Sequence, residues 1–571
     1  MNIKMKKKMK RYQYITAAAL LLSLVATAQT EEETIKRSVT LYNPYKPTLK
    51  EANKRTLLPQ ENDTTVINIR FDYDFTPGSF MPAYEVSPIK SAVLSPEPLE
   101  VLKKGYVSLG VGTYLSPFLE VSISNGRSNK GTVGLFTRTY GSAGKIELQN
   151  DRRVYAGFLD NQAMLYGKKY FRRSRLDGDV DFRQMTRHAY GYNPDVTGYD
   201  PDRKDIRSLY YDVTAKARYF TMEPDSSDLN WDASVKYNLF TRQGEGLQHN
   251  PGLTVSAGTN MFGLYAGMNA GYDLYLFSGG LDYKSRNLLT LAPYITKGNE
   301  EWRFRFGAQV AADLKENHDP LAGGVRKLYM FFYPDVMFTF RIVPDFLRFT
   351  ASVDGWLDNN QARNVAYANP FMLPGDTIYN LRSTSNNLRV KGGLSGSFNV
   401  TSSYAADVSY TLFRDMLLFM NDTVGFGNWF VPVYSDGSLF RVHGEVNVPV
   451  NRQVTLSFLG NWYGYNLSGQ EHAWHKPEWD GSVKAGYNLR NKIIASADLT
   501  LTGDRYARVM SPEETVRLPF HPNLNMGIEY RYTPEISFWV KCNNISYNRY
   551  FEWNWYPSRN FMLLGGISYS L

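Results

Sequence analysis

The chain holds one cysteine, Cys542, among its 571 residues. A single thiol excludes an internal disulfide framework and any metal site built on several thiolates. Cys542 sits in an alternating run and reads as a packed strand residue. Beyond residue 28 no apolar run is long enough to cross a bilayer as a helix, and a mean hydropathy of −0.39 excludes a bundle of such helices. Histidine is scarce, at seven residues. No glycine-rich phosphate loop, zincin helix or nucleophile elbow occurs. Acidic residues are missing from the start, where Lys4, Lys6, Lys7, Lys8, Lys10 and Arg11 stand together. Removing those six positive charges lowers the net charge from +9 to +3, so a nucleic-acid role loses its electrostatic support.

What is abundant is aromatic. There are 41 Tyr and 10 Trp, which suits the interfacial girdles of a transmembrane barrel. Such a barrel hides in hydropathy averages because only alternate residues face lipid. Composition alone fits an extracellular all-β protein equally well.

The order of the chain separates the two. The basic start, the apolar run Ile15–Val25 and the small residues Ala26-Thr27-Ala28 describe a cleaved secretory signal peptide, residues 1–28. Residues 29–104 carry prolines at 44, 47, 59, 77, 82, 88, 96 and 98. That spacing forbids a regular core and favours extended chain, so the segment is expected to be periplasmic or to line the lumen. From Gly105 to Leu571 short alternating runs repeat. Tight turns are expected at 343–345, 400–403, 450–453, 489–492 and 532–534, and upstream at 296–299, 258–260, 222–228, 172–175 and 126–130. Longer polar inserts are expected at 357–385, 416–437, 466–477, 503–518 and 546–559, with others at 191–207, 241–251 and 315–324. Short and long connections in alternation mark a membrane barrel with tight periplasmic turns and long outer loops. The count gives about 22 antiparallel strands, within a range of 18–22, the first hairpin being doubtful because Ser116-Pro117 could be a kink. In Leu229–Leu239 the face Leu229, Trp231, Ala233, Val235, Tyr237 and Leu239 is apolar, and the opposite face is Asn230, Asp232, Ser234, Lys236 and Asn238. A polar lumen explains the second face; a sandwich core would bury those groups without partners. At the carboxyl end Phe561, Leu563, Ile567, Tyr569 and Leu571 are expected to form the strand that closes the barrel against one starting near Tyr106.

Candidate chemistry is thin. His472-Ala-Trp-His475, flanked by Glu471 and Glu478, has some look of a metal site, but it lies in an expected outer loop and no further ligand is identifiable. His443 shares a strand face with Arg441 and Glu445 and is expected to face the lumen. The apolar stretch Met416–Phe430 is expected to pack among loops, to constrict the lumen or to dock a partner. The basic run Lys168–Arg175 is expected at the periplasmic rim. No catalytic, cofactor or metal-binding residue is assigned, and an enzyme is not expected.

The last hairpin carries Asn543-Asn544, Tyr550, Tyr556-Pro557, Arg559 and Phe561. In this order they resemble the closing hairpin of TonB-dependent outer-membrane receptors. The resemblance covers the barrel, residues 105–571, with Asn544, Tyr550, Tyr556, Pro557 and Arg559 in the motif positions; where the family has Pro-Gly-Arg this chain has Pro557-Ser558-Arg559. The family's globular plug is not evident in residues 29–104. The expected function is solute binding or transport by a receptor-like or porin-like barrel of a Gram-negative envelope. The alternative is a non-conducting structural subunit or scaffold of an outer-membrane assembly or export complex. Expected partners are outer-membrane lipid, the barrel-assembly machinery during insertion, and envelope proteins met through residues 29–104.

Overall fold

The computed structural model describes residues 103–571, apart from 127, 223–228, 280–282, 320–322, 376–380, 400, 423–425 and 511–512. The expected signal peptide and nearly all of the proline-rich segment lie outside the described residues. Twenty-two strands form one antiparallel sheet. Each pairs with the next barrel strand along the chain, and the last, Met562–Ser570, pairs with the first, Gly105–Gly112. The sheet therefore has no edge, which removes the row of unpaired backbone groups that lipid could not satisfy.

Side-chain alternation explains why these residues form this wall. Along Asn230–Arg242, Asn230, Asn238 and Arg242 are buried inside while Val235 and Tyr237 are exposed outside. The outward positions of neighbouring strands are likewise apolar: Leu109, Leu165, Val180, Leu253, Met268 and Phe332 are all exposed. Phe262, Phe346, Phe398 and Tyr532 stand exposed at one rim, and Trp462, Trp479 and Phe520 nearer the other, as aromatic girdles do at the two headgroup levels. Inside, charges pair along the wall: Arg305 with Asp335 at 2.6 Å, Arg389 with Asp354 at 2.8 Å and Arg286 with Asp313 at 2.8 Å.

The long connections gather on one rim as expected, although that rim also carries the tight connections 113–115 and 243–246. At the rim holding Gly105 and Leu571 the connections are tight, for example 262–263, 299–301, 344–346 and 490–492. At the opposite rim lie 143–157, 189–206, 359–383, 469–478, 503–520 and 544–561. The tight rim is periplasmic by the usual build of such barrels. Ser116-Pro117 belongs to a real hairpin, its turn at 113–115 using positive φ at Tyr114 and Leu115.

Several expected boundaries are corrected. The inserts 241–251 and 315–324 are mostly strand: the chain turns at 243–246, and Trp302–Asp319 pairs with Gly323–Val343. Lys315 pairs in register with Lys327 and Glu316 with Arg326, so these polar residues belong to paired strands. The insert 416–437 contracts to 422–429, because Ser403–Asn421 and Phe430–Pro449 stay paired up to Asn421 and Phe430. The turn placed at 258–260 lies at 262–263, where Phe262 and Gly263 take positive φ. The insert 143–157, with its own small hairpin Lys145–Glu147 and Arg153–Tyr155, carries no composition shift and was not foreseen.

The seam is built around one indole. Trp539 lies inside, donating from Nε1 to Ser108 Oγ at 2.9 Å. A Cβ on Gly110 would stand 2.4 Å from its ring, and one on Gly566 equally close and 2.2 Å from the Leu109 carbonyl. Gly110 and Gly566 face each other in register, so the two missing side chains leave the space that Trp539 fills. Leu563, Ile567 and Tyr569 point outward and are exposed. Leu571 follows the strand and donates its N–H to the Gly105 carbonyl at 2.7 Å. Phe561 stands one residue before the strand, since the ladder ends at the Asn543–Met562 pair.

Candidate functional site at the outer mouth

Insert 359–383 contains the one α-helix among the described residues, Ala362–Ala368. Its ends are drawn together by Asn360, which donates to Arg382 O at 2.7 Å and Thr384 Oγ1 at 3.1 Å. The helix turns Ala362, Val365 and Ala366 into a buried cluster. That cluster includes Met185, Tyr210 and Phe240 on one stretch of wall and Phe419 and Phe430 on another. The insert therefore reaches across the mouth instead of standing off into solvent.

Polar contacts hold it there. Asp212, only 2% exposed on the inner wall, accepts from Arg363 Nε at 2.6 Å and from the Tyr367 hydroxyl at 2.9 Å. The same carboxylate accepts from Asn238 Nδ2 and Thr214 Oγ1 of the wall. Tyr210 donates to Pro370 O at 2.8 Å, and Arg242 to Met372 O at 2.9 Å. On the near side Gln361 and Asn359 donate to the Tyr275 hydroxyl, while Arg286, already paired with Asp313, also donates to Asn359 and Ser383. Leu373 N–H reaches Phe430 O, and Phe430 N–H reaches Phe371 O, each at 2.9 Å.

The last insert, 544–561, carries the motif residues and brings two of them to this cluster. Tyr556 is 2% exposed; its ring stacks on Phe371 at 4.1 Å and meets Tyr190 edge-on at 4.9 Å, and its hydroxyl donates to Asn428 O. Burial pushes the Tyr556 phenol well above its ordinary range, so it stays protonated and keeps donating. Pro557 O accepts from Tyr190 at 3.0 Å. Asn544, at positive φ, donates to Asn548 O and Arg559 O and so ends the strand beneath. Tyr550 stacks on His521 at 4.1 Å. Arg559 donates to Ala156 O and lies over the Tyr114 and Phe158 rings. The five motif residues thus occupy one insert, but only Tyr556 and Pro557 touch the central cluster.

His475 is buried beside it. Its Nδ1 stands 3.1 Å from Phe419 O, and its Nε2 accepts from Asn554 N–H at 3.3 Å. Those partners assign the proton to Nδ1. Burial first, then the nearby Arg505, push its pKa down to about 3. His472 goes elsewhere, stacking on Tyr506 at 3.9 Å and pairing with Glu471 at 3.7 Å. The two imidazoles are committed to different partners. His443 faces the lumen lower down, 2.9 Å from Asn461 Oδ1, which also accepts from Arg441. Leu418, Met420 and Phe430 of the apolar stretch are buried, Leu418 and Met420 against Ala473 and Trp474. Asp212, Arg363, Tyr367 and Tyr210 escaped sequence reasoning, because an inward Asp in a strand looks the same whether water or an insert meets it.

A closed antiparallel barrel with an apolar outer wall, aromatic rims and an ion-paired interior is a transmembrane barrel of the outer-membrane type. No family model matches the chain, and no curated protein matches it. Solved structures do. The FrpB iron transporter from Neisseria meningitidis is similar at a TM-score of 0.65 and 8% identity, over 83% of this chain and 82% of that one. The copper transporter OprC is similar at 0.61 and 10%, over 83% and 81%. The ferric-catecholate import receptor Fiu from E. coli K12 is similar at 0.59 and 8%, over 83% and 82%. The fold is that of a TonB-dependent receptor-like barrel.

Proposed function

We propose that the chain is an outer-membrane receptor-like transport barrel whose mouth is held shut by its own insert 359–383. The carrying observation is the Asp212 contact: a buried wall carboxylate bound to Arg363 and Tyr367 of that insert. Below it the ion-paired wall suits a wetted lumen. The likeness to metal and siderophore receptors supports the reading at the level of fold. In this reading a solute met at the mouth passes once the insert swings away, the wall itself staying rigid.

A structural role is the second reading. It is favoured by the buried cluster that joins inserts from separate stretches of wall around Tyr556, which suits a permanently filled mouth. Planar bilayers separate the two. The wild-type barrel is expected to be nearly silent, and a variant with residues 360–382 replaced by a short Gly-Ser link to conduct. A variant that folds, stays silent and co-purifies with fixed envelope proteins would remove the transport reading.

A further inference from the structure

We propose that the cavity between insert 189–206 and residues 426–429 binds a small organic cation bearing an ammonium group. This rests on the receptor reading above. The cavity measures about 520 Å³ and is lined by Tyr199, Phe426 and Trp429 together with Asp200, Asp205 and Asn428. It lies on the outer side, beside the buried cluster that holds the insert.

Three aromatic side chains supply the electron-rich faces. The Tyr199 and Phe426 rings stack at 3.8 Å, inclined by 27°. With one face so covered Phe426 is still 43% exposed, so its free side is open to a ligand. Trp429 already carries a cation, the Arg242 guanidinium lying 5.0 Å from its ring. A second cation meeting these faces gains the same quadrupole attraction.

The charges agree in sign. The formal charges lining the cavity are Asp200 and Asp205. Asp200 lies 3.6 Å from Arg152, whereas Asp205 has no ion-pair partner among the described residues. The Tyr199 phenol is raised above its ordinary range, by burial first and then by the Asp205 carboxylate. Arg152, which pairs with Asp200, also donates to the Tyr199 carbonyl at 2.6 Å, so Asp205 is the carboxylate left to attract an ammonium ion at the ring. A neutral ring could use the aromatic faces but would gain nothing from Asp205.

Calorimetric titration of the full barrel in a maltoside detergent, which has no ammonium headgroup, tests this with choline and its neutral isostere 3,3-dimethylbutan-1-ol. Choline is expected to bind saturably and the isostere at least tenfold more weakly. Asp205→Asn and Phe426→Leu are each expected to weaken choline binding by about 2- to 30-fold. Both side chains are on the surface, and heat-modifiable migration checks that the variants fold. Equal binding of the isostere, absence of saturable heat, or indifference to both substitutions would overturn the site. Choline binding by a barrel that never conducts would overturn transport alone, and conduction without choline binding would overturn this inference alone.

Discussion

Replacing Asp212 by Asn removes the charge that ties insert 359–383 to the wall and keeps the volume. The carboxylate accepts from Arg363 at 2.6 Å and Tyr367 at 2.9 Å, and from Asn238 and Thr214 of the wall. An amide in its place can accept through one oxygen only and turns an N–H donor toward the others. Removing one partner of a buried pair costs about 3–5 kcal/mol. The Arg363 side chain is 28% exposed, so water recovers part of that loss and about 2–3 kcal/mol remains. This falls on docking of the insert, because the barrel ladder does not depend on Asp212. At 1.4 kcal/mol per tenfold the undocked population rises about 25- to 150-fold. Hydrogen exchange should then show faster exchange of residues 362–369 with the wall unchanged, and planar bilayers should show more frequent openings. Arg363→Ala should act in the same direction, and combined with Asp212→Asn should add little. An Asp212→Asn barrel with unaltered exchange across the helix would refute the argument.

Three further expectations concern the frame. Gly566→Val should destabilise the seam by about 1–3 kcal/mol, because its side chain meets Trp539 and the Leu109 carbonyl; a lowered temperature of heat-modifiable migration would register it. Val235→Arg, on the lipid face, should cost about 2–4 kcal/mol near the midplane, while Ser234→Arg on the inner face should be tolerated; yields of folded barrel in liposomes compare the two. His475 has a pKa of about 3 when folded against an ordinary 6.5, so its contribution is complete above pH 6.5 and declines as pH falls toward 3. The slope reaches about 1.4 kcal/mol per pH unit, and urea titrations followed by tryptophan emission should show it in the wild type and lose it in His475→Gln.

Period-two alternation was legible wherever a strand lay across the bilayer, as in Asn230–Arg242, because lipid on one side and a polar lumen on the other enforce it. It stopped serving where strands rise above the membrane. Lys315 and Glu316 pair in register with Lys327 and Arg326, and Leu418, Met420 and Phe430 face other inserts, so polarity no longer reports strand or loop there. The closing strand was legible from Leu563, Ile567 and Tyr569, and Gly110 and Gly566 made sense only once Trp539 lay across them.

The sequence by itself determined that this is a barrel of about 22 strands, closed end to start, with tight turns on one rim. Those features follow from neighbour-to-neighbour patterns that a membrane imposes on every strand in the same way. Only the tertiary structure decided what fills the outer mouth. Asp212 and Arg363 stand 151 positions apart, Tyr556 and Phe371 meet from different inserts, and Tyr199 faces Phe426 across the mouth. Such contacts depend on which walls the closed ring brings opposite one another, and no local period records that.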